Sequence, residues 1–439
     1  MNHSMSTITA VDEVVTLARD LIRIDTSNTG DPSTTVGERK AAEYVAAQLE
    51  DVGYETTYVE VAPGRGNVIT RLAGADPTRG ALLIHAHLDV VPFDASDWTV
   101  HPLSGEVQDG YLWGRGAVDM KHMAAMTLAV ARQFKREGTI PPRDLIFAFV
   151  SDEEAGGVLG AQWLVEHRPE LFEGATEAIS EVGGFSVTLT DDVRGYLIET
   201  GEKGVMWLRL KARGVAGHGS MVSQDNAVAK LAAAVARLDQ HQFPLILTDT
   251  VRDFLTIVSE VTGVSFDQDD PETAVARLGG LSRMIGATLR DTANVTMFSA
   301  GYRANVVPSV ADATVDGRFL PGRAEAFEQE LRAVLGAEIE VESQFLPAVE
   351  TTFDGRLVDR MTAAIRAEDP TARMLPYLLS AGTDAKSFQR LGIRNFGFAP
   401  LKLPADLDFT ALFHGVDERV PTDALEFGAT VLHRFLSDC

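Results

Sequence analysis

The sequence predicts an α/β protein on a mostly parallel sheet, with a smaller α+β unit inserted into it. Three observations carry this. The runs Ala81–Ile84 and Leu145–Val150 are unbroken apolar stretches that read as buried strands. Segments of helical period alternate with such strands along the first part of the chain. Near Gly195 the texture changes, and the order of elements becomes β-α-β-β-α-β, the pattern of a ferredoxin-like two-layer unit.

The elements follow in order. Val11 to Ile24 and Glu38 to Val52 carry apolar residues at helical spacing, the second stopped by Gly53. Short strands are expected over Thr56–Val61 and Asn67–Leu72, then the Ala81 strand. An Ala- and Met-rich helix spans Met120–Phe134, and the Leu145 strand begins after Pro141-Pro142. Ala161–His167 reads as a helix, leading to a strand that ends in Ser180-Glu181. In the insert, strands are expected over Val205–Ala212, Asn294–Ala300, Ala313–Phe319 and Glu338–Phe345. Helices are expected over Asp225–Leu238 and Ala324–Leu335. Residues 240–292 read as a mostly helical extension of that unit. The helix Leu357–Glu368 and the strand Asn395–Ala399 return to the first texture. The expected division is 1–195 and 350–439 for the main domain and 196–349 for the insert.

Composition narrows the function classes. The chain has 439 residues, with 63 acidic against 39 basic side chains and a formal net charge of −24. Nucleic acid and anionic membranes would repel such a chain, so neither is expected as a partner. The single cysteine, Cys439, excludes an intrachain disulfide and a Cys-based metal site. No apolar stretch is long enough to cross a membrane, and Met1 to Ser6 shows no signal-peptide pattern, so a cytoplasmic location is expected.

The chemistry gathers where strands end. The Ala81 strand empties into His85-Ala86-His87-Leu88-Asp89, and the Leu145 strand into Ser151-Asp152-Glu153-Glu154. Between them lies Gly114-Arg115-Gly116-Ala117-Val118-Asp119. Each has a structural explanation when taken singly: a satisfied polar strand end, a solvated Glu-Glu pair, an N-cap at Asp119, a surface turn around His414. Taken in order, His87, Asp119, Glu154, Glu181 and His414 all fall at strand ends or adjoining loops, where open α/β sheets place their sites. Imidazoles and carboxylates together suit a divalent metal.

The order and context of these residues resemble the M20 family of metallopeptidases and amidohydrolases. The resemblance covers nearly the whole chain and rests on specific segments. These are His87-Leu88-Asp89, Gly114-Arg115-Gly116 with Asp119-Met120-Lys121, Asp152-Glu153-Glu154, Glu181, Gly217-His218-Gly219-Ser220, Asn305-Val306-Val307-Pro308, Gly382-Thr383-Asp384 and His414-Gly415. It implies a zinc-peptidase catalytic domain with an inserted lid and dimerisation domain, hence a homodimer. It also implies two Zn2+ ions, with Mn2+ or Co2+ able to take the same ligands. His87 and Glu181 would hold one, Glu154 and His414 the other, and Asp119 would bridge them. Asp89 would orient His87. Glu153 would be the general base acting on a metal-bridging water; the residues themselves do not decide between Glu153 and Glu154 for that role. His218 would stabilise the oxyanion from the partner subunit, and Asn305, Arg318, Gly382 and Thr383 would grip the substrate carboxylate.

The implied activity is hydrolysis of the amide bond in an N-acyl amino acid or small peptide with a free carboxylate. The alternatives are a dipeptidase or aminopeptidase of the same family and a non-catalytic metal- or ligand-binding homologue. Three positions depart from the family pattern: Gly219 stands where alanine is common, Asp417 where asparagine is common, and Ala381 where glycine is common. None removes a ligand.

Overall fold

The computed structural model describes residues 8–278 and 281–439; the Met1 to Ser6 segment lies outside them. The two buried runs become the strands Ala81–His87 and Leu145–Val150, parallel neighbours in a ten-stranded sheet. Ala175–Ser180 and Arg394–Gly397 continue the parallel run beyond Ala81–His87. Antiparallel strands flank this centre: Gly66–Leu72 and Thr57–Glu60 on one side, Arg194–Glu202 on the other. Alternate side chains enter opposite layers. Leu82, Ile84 and Ala86 join the core under the helices Ala10–Arg23, Lys121–Glu137 and Thr422–Leu436, while Ala81 and Leu83 join Ile146, Ala148 and Val150 on the other face.

A separate four-stranded antiparallel sheet runs in the order Thr292–Ala300, Val310–Phe319, Gly204–Arg213, Ile339–Leu346. The helices Ala227–Gln240 and Ala324–Leu335 pack on it around their own apolar core. Among the described residues no helix is long and apolar enough to cross a membrane.

Three details differ from the expectations. Residues 196–202 belong to the large sheet, because Arg194–Glu202 pairs in parallel with the strand Arg373–Leu379. Segment 240–292 does form helices, but Val251, Phe254, Leu255, Val258, Ile285 and Leu289 are buried in the large core and not in that of the small sheet. Two elements are hidden by breaker residues. Pro376 argues against a strand over Arg373–Leu379, and is accommodated because, among the described residues, that strand pairs on one side only, with Arg194–Glu202. Gly428 weakens the helical pattern of Thr422–Leu436, yet a Cβ there would run into Met126 and the carbonyl of Pro400.

The chain crosses between the two sheets at Lys203 and again at Pro347, and one ammonium ties both crossings. Lys386 Nζ donates to the Lys203 carbonyl at 2.7 Å and the Pro347 carbonyl at 3.1 Å, and lies 3.0 Å from Glu202 Oε2. Glu202 is fully buried and also accepts from the Thr383 amide at 3.1 Å and hydroxyl at 2.5 Å. Removing one partner of a buried ion pair leaves the other charge stranded. Lys386→Met is therefore expected to destabilise the protein by about 3–5 kcal/mol, read as a lower denaturation midpoint in urea.

Candidate active site

The parallel strands deliver the candidate residues to one end of the sheet. His87 is the last residue of its strand, Glu153 and Glu154 share a single 3-10 turn after Leu145–Val150, and Glu181 follows Ala175–Ser180. Asp119 comes from the Gly-rich turn before the helix Lys121–Glu137. Gly116 in that turn has φ +91°, and a Cβ there would crowd Val90 and Lys121 at 2.9 Å. His414 arrives from a loop far along the chain, with a left-handed backbone at φ 56°.

Asp119 lies between the two imidazoles. Its Oδ1 is 3.1 Å from His87 Nε2 and its Oδ2 is 3.2 Å from His414 Nε2. His414 Nε2 is also 3.1 Å from Glu154 Oε2. His87 Nε2 lies 3.7 Å from Glu181 Oε2 and 3.9 Å from Glu153 Oε2. This density of charge shifts every titration. Burial, reinforced by the Glu181 charge, pushes the Glu153 carboxyl well above its ordinary range, and burial raises Glu181 to about 7. Burial opposes ionisation of Asp119, but the hydrogen bonds from His414 and His87 outweigh it and hold that carboxyl far below its usual value. Burial likewise opposes charge on His87, yet Glu181 and the contacts with Asp119 and Asp89 keep it well above an ordinary imidazole. Bonds to Asp119 and Glu154 lift His414 to about 10.

The donor set fits divalent cations. Among the described residues, His87, Asp119 and Glu154 can offer three ligand atoms within 4.8 Å of one another, as can His87, Glu153 and Glu181. Imidazole nitrogen and carboxylate oxygen suit zinc, manganese or cobalt. Glu154 Oε1 is buried with no hydrogen-bond partner, an arrangement that is costly unless a cation takes the oxygen.

Two further acids hold the backbone that presents these groups. Asp89, fully buried, accepts the Glu153 amide at Oδ1 and the Glu154 amide at Oδ2, each at 3.1 Å. Its carboxylate is 3.5 Å from His87 Nδ1, which lies closer, at 3.0 Å, to the Asp89 carbonyl. Asp89 thus grips the Glu153–Glu154 turn as well as standing behind His87. Glu418 plays the corresponding part for Asp119. It accepts the amides of Gly116 at 3.0 Å, Val118 at 2.6 Å and Asp119 at 3.0 Å, and the Arg115 guanidinium at 2.7 Å. Sequence reasoning missed Glu418; an acid four residues beyond His414 was the one signal. His85 is buried against the Phe388 ring, and burial depresses it to about 3.

A cavity of about 1160 Å³ opens beside the cluster, lined by Asp119, Glu153, Glu154, Glu181 and His414. Arg318, Gly382 and Thr383 also line it, but two of the three have donors already engaged. Arg318 Nε and Nη2 bond Asp316 at 2.6 and 3.0 Å, leaving Nη1, and Thr383 gives its amide and hydroxyl to Glu202. His218 and Asn305 are not among the lining residues. They sit on a short exposed ribbon where Gly217–His218 pairs with Val306–Val307, and His218 Nδ1 is 2.8 Å from Ser220 Oγ.

The N-fatty-acyl-amino acid synthase/hydrolase PM20D1 of Xenopus tropicalis is 28% identical, across 97% of this chain and 86% of the relative's length. Aminoacylase-1 of Sus scrofa is 27% identical, across 96% of this chain and 94% of its own. An M20 family metallo-carboxypeptidase from Sulfolobus solfataricus has the same fold, with a TM-score of 0.73 at 17% identity, covering 97% of this chain and 99% of that one. The sequence profile of Peptidase family M20/M25/M40 matches residues 83–438, from the Ala81 strand to the last helix, and the chain belongs to that family of hydrolytic enzymes.

Proposed function

We propose that this protein is a metal-dependent amide hydrolase acting on N-acyl amino acids or small peptides with a free carboxylate. The observation that carries the reading is Asp119, whose two oxygens face the two imidazoles at the mouth of the large cavity. His87 and Glu181 would hold one divalent cation, Glu154 and His414 a second, with Asp119 shared. Such a pair of ions supplies Lewis acidity, lowering the pKa of water and polarising the amide carbonyl.

The protein's own groups do the rest. Glu153 lines the cavity, and its raised proton affinity suits a base that takes a proton from the attacking water and returns it to the leaving nitrogen. Glu154, with Oε2 against His414, is the better ligand of the two neighbours. Arg318, through Nη1, and the Gly382 backbone line the cavity and would receive the substrate carboxylate. Phe185, Trp207, Met284, Phe345, Leu379 and Phe413 give the cavity an apolar wall that fits an acyl chain or apolar side chain. The names of the relatives, an N-fatty-acyl-amino acid synthase/hydrolase and an aminoacylase, favour the acyl amino acid over a dipeptide.

The insert is proposed as a lid and dimer surface. Its edge strand Thr292–Ala300 exposes Met297 and Phe298, and the ribbon region exposes Val215, Met221, Val222 and Tyr302. An exposed apolar edge invites pairing with a second chain. His218, exposed and off the cavity wall of its own chain, would then serve as an oxyanion donor in the partner's site.

Assay of N-acyl amino acids of increasing chain length and of dipeptides, after chelation and reloading with zinc, manganese or cobalt, tests the reading. Turnover is expected on acyl amino acids, lost on chelation and restored by metal; no turnover of either class with any metal would refute it. Glu153→Gln should lower kcat by about 10²- to 10⁴-fold with two metals retained per chain; a fall in bound metal would make Glu153 a ligand. His218→Ala and Glu153→Gln should each be impaired alone. Co-expressed as mixed dimers they should recover activity if the histidine acts across the interface, and no recovery in verified mixed dimers removes the trans role.

A further inference from the structure

The turn that carries Glu153 and Glu154 is anchored from behind by residues that touch neither the cavity nor the candidate ligands. It is entered through Asp152, a non-glycine residue with left-handed backbone at φ 71°. Asp152 folds the following loop onto itself, accepting the Leu159 amide at Oδ2 (2.8 Å) and the Gly157 amide at its carbonyl (2.6 Å). Outward, Asp152 Oδ1 accepts Arg65 Nη2 at 2.6 Å and Asn28 Nδ2 at 3.1 Å. The same Asn28 amide bonds Asp89 Oδ2 at 2.9 Å, joining the two acids that hold the turn.

Arg65 is held in turn from a third element. Its Nε lies 2.8 Å from Glu38 Oε2, an ion contact off the line of a hydrogen bond, and Glu38 is the N-cap residue of the helix Arg39–Asp51. Glu38, Arg65, Asn28 and Asp152 are 0%, 7%, 4% and 5% exposed. A buried acid–guanidinium–acid chain is an inefficient way to stabilise a fold, because desolvation cancels much of the attraction. It is an effective way to fix position, since a planar guanidinium spans two carboxylates in one geometry. In this protein the fixed object is the turn bearing two of the candidate catalytic and ligating carboxylates.

We infer that Arg65 is a positioning residue for the hydrolysis proposed above, acting through Asp152 to hold the Glu153–Glu154 turn against His87 and Asp119. The inference rests on that reading for its effect on rate, whereas its effect on the turn can be measured without it. A lysine at 65 keeps the charge and loses the span between Glu38 and Asp152.

The test uses the metal-loaded full chain, Arg65→Lys, and the triple variant Glu38→Gln/Arg65→Met/Asp152→Asn, which leaves no buried charge unpaired. For Arg65→Lys, kcat is expected to fall about 10- to 100-fold with KM changed by less than about threefold and bound metal unchanged. Hydrogen exchange at the Gly157 and Leu159 amides should quicken. The triple variant should regain thermal stability while kcat stays low. Return of kcat together with stability would reduce Arg65 to a fold-stabilising residue and overturn the inference, as would wild-type exchange at those amides in Arg65→Lys. If the wild-type protein turns over no acyl amino acid or peptide, the hydrolase reading fails by itself, and exchange with metal content still decides whether Arg65 holds the turn.

Discussion

The structure depends on bringing several carboxylates and the His87 imidazole out of water into one small volume, with the half-exposed His414 imidazole against them. Asp119, Glu153, Glu154 and Glu181 lie at the carboxyl ends of strands or in the loops between them, and all four line the one cavity. Like charges in a desolvated space repel strongly. The fold answers by spending other buried groups on the backbone around them. Asp89 fixes the turn of Glu153 and Glu154, Glu418 fixes the turn of Asp119, and Arg65 pairs with Asp152 behind the first of these turns. A divalent cation held by these donors would offset that repulsion.

A second consequence concerns the two sheets. The chain passes between the two sheets at Lys203 and at Pro347, and Lys386 bonds both carbonyls. Glu202 beside it also takes the Thr383 amide and hydroxyl, so a loop on the cavity wall and the joint between the sheets share one buried ion pair. The exposed ribbon of His218 and Asn305 is not part of the cavity lining of its own chain.

Much of this was legible in the residues. Unbroken apolar runs announced the central strands, and the acids and histidines directly after them come together in the structure, because side chains at the ends of buried parallel strands have one shared place to go. The less visible parts have physical causes. Pro376 and Gly428 are breakers by local rule and are retained because an edge position and a tight helix contact admit or require them. The helices of segment 240–292 pack on the large core although the chain places them within the insert, since periodicity says that a face is apolar but not which core it meets. Glu418, Arg65 and Asn28 are ordinary polar residues in sequence, and their importance lies in partners up to hundreds of positions away.

What the sequence by itself determined is the class of fold, which follows from hydrophobic period, and the family, which follows from the resemblance of its motifs; residue types at strand ends marked the candidate site groups. What only the tertiary structure decided is how those groups are held. Asp89 turned out to carry the Glu153–Glu154 backbone, Arg318 and Thr383 to have donors already committed, and Asp152, without an evident task in the sequence, to link the turn to Arg65. Hydrogen bonds are set by distance and angle within a few tenths of an ångström, and no spacing along a chain encodes that.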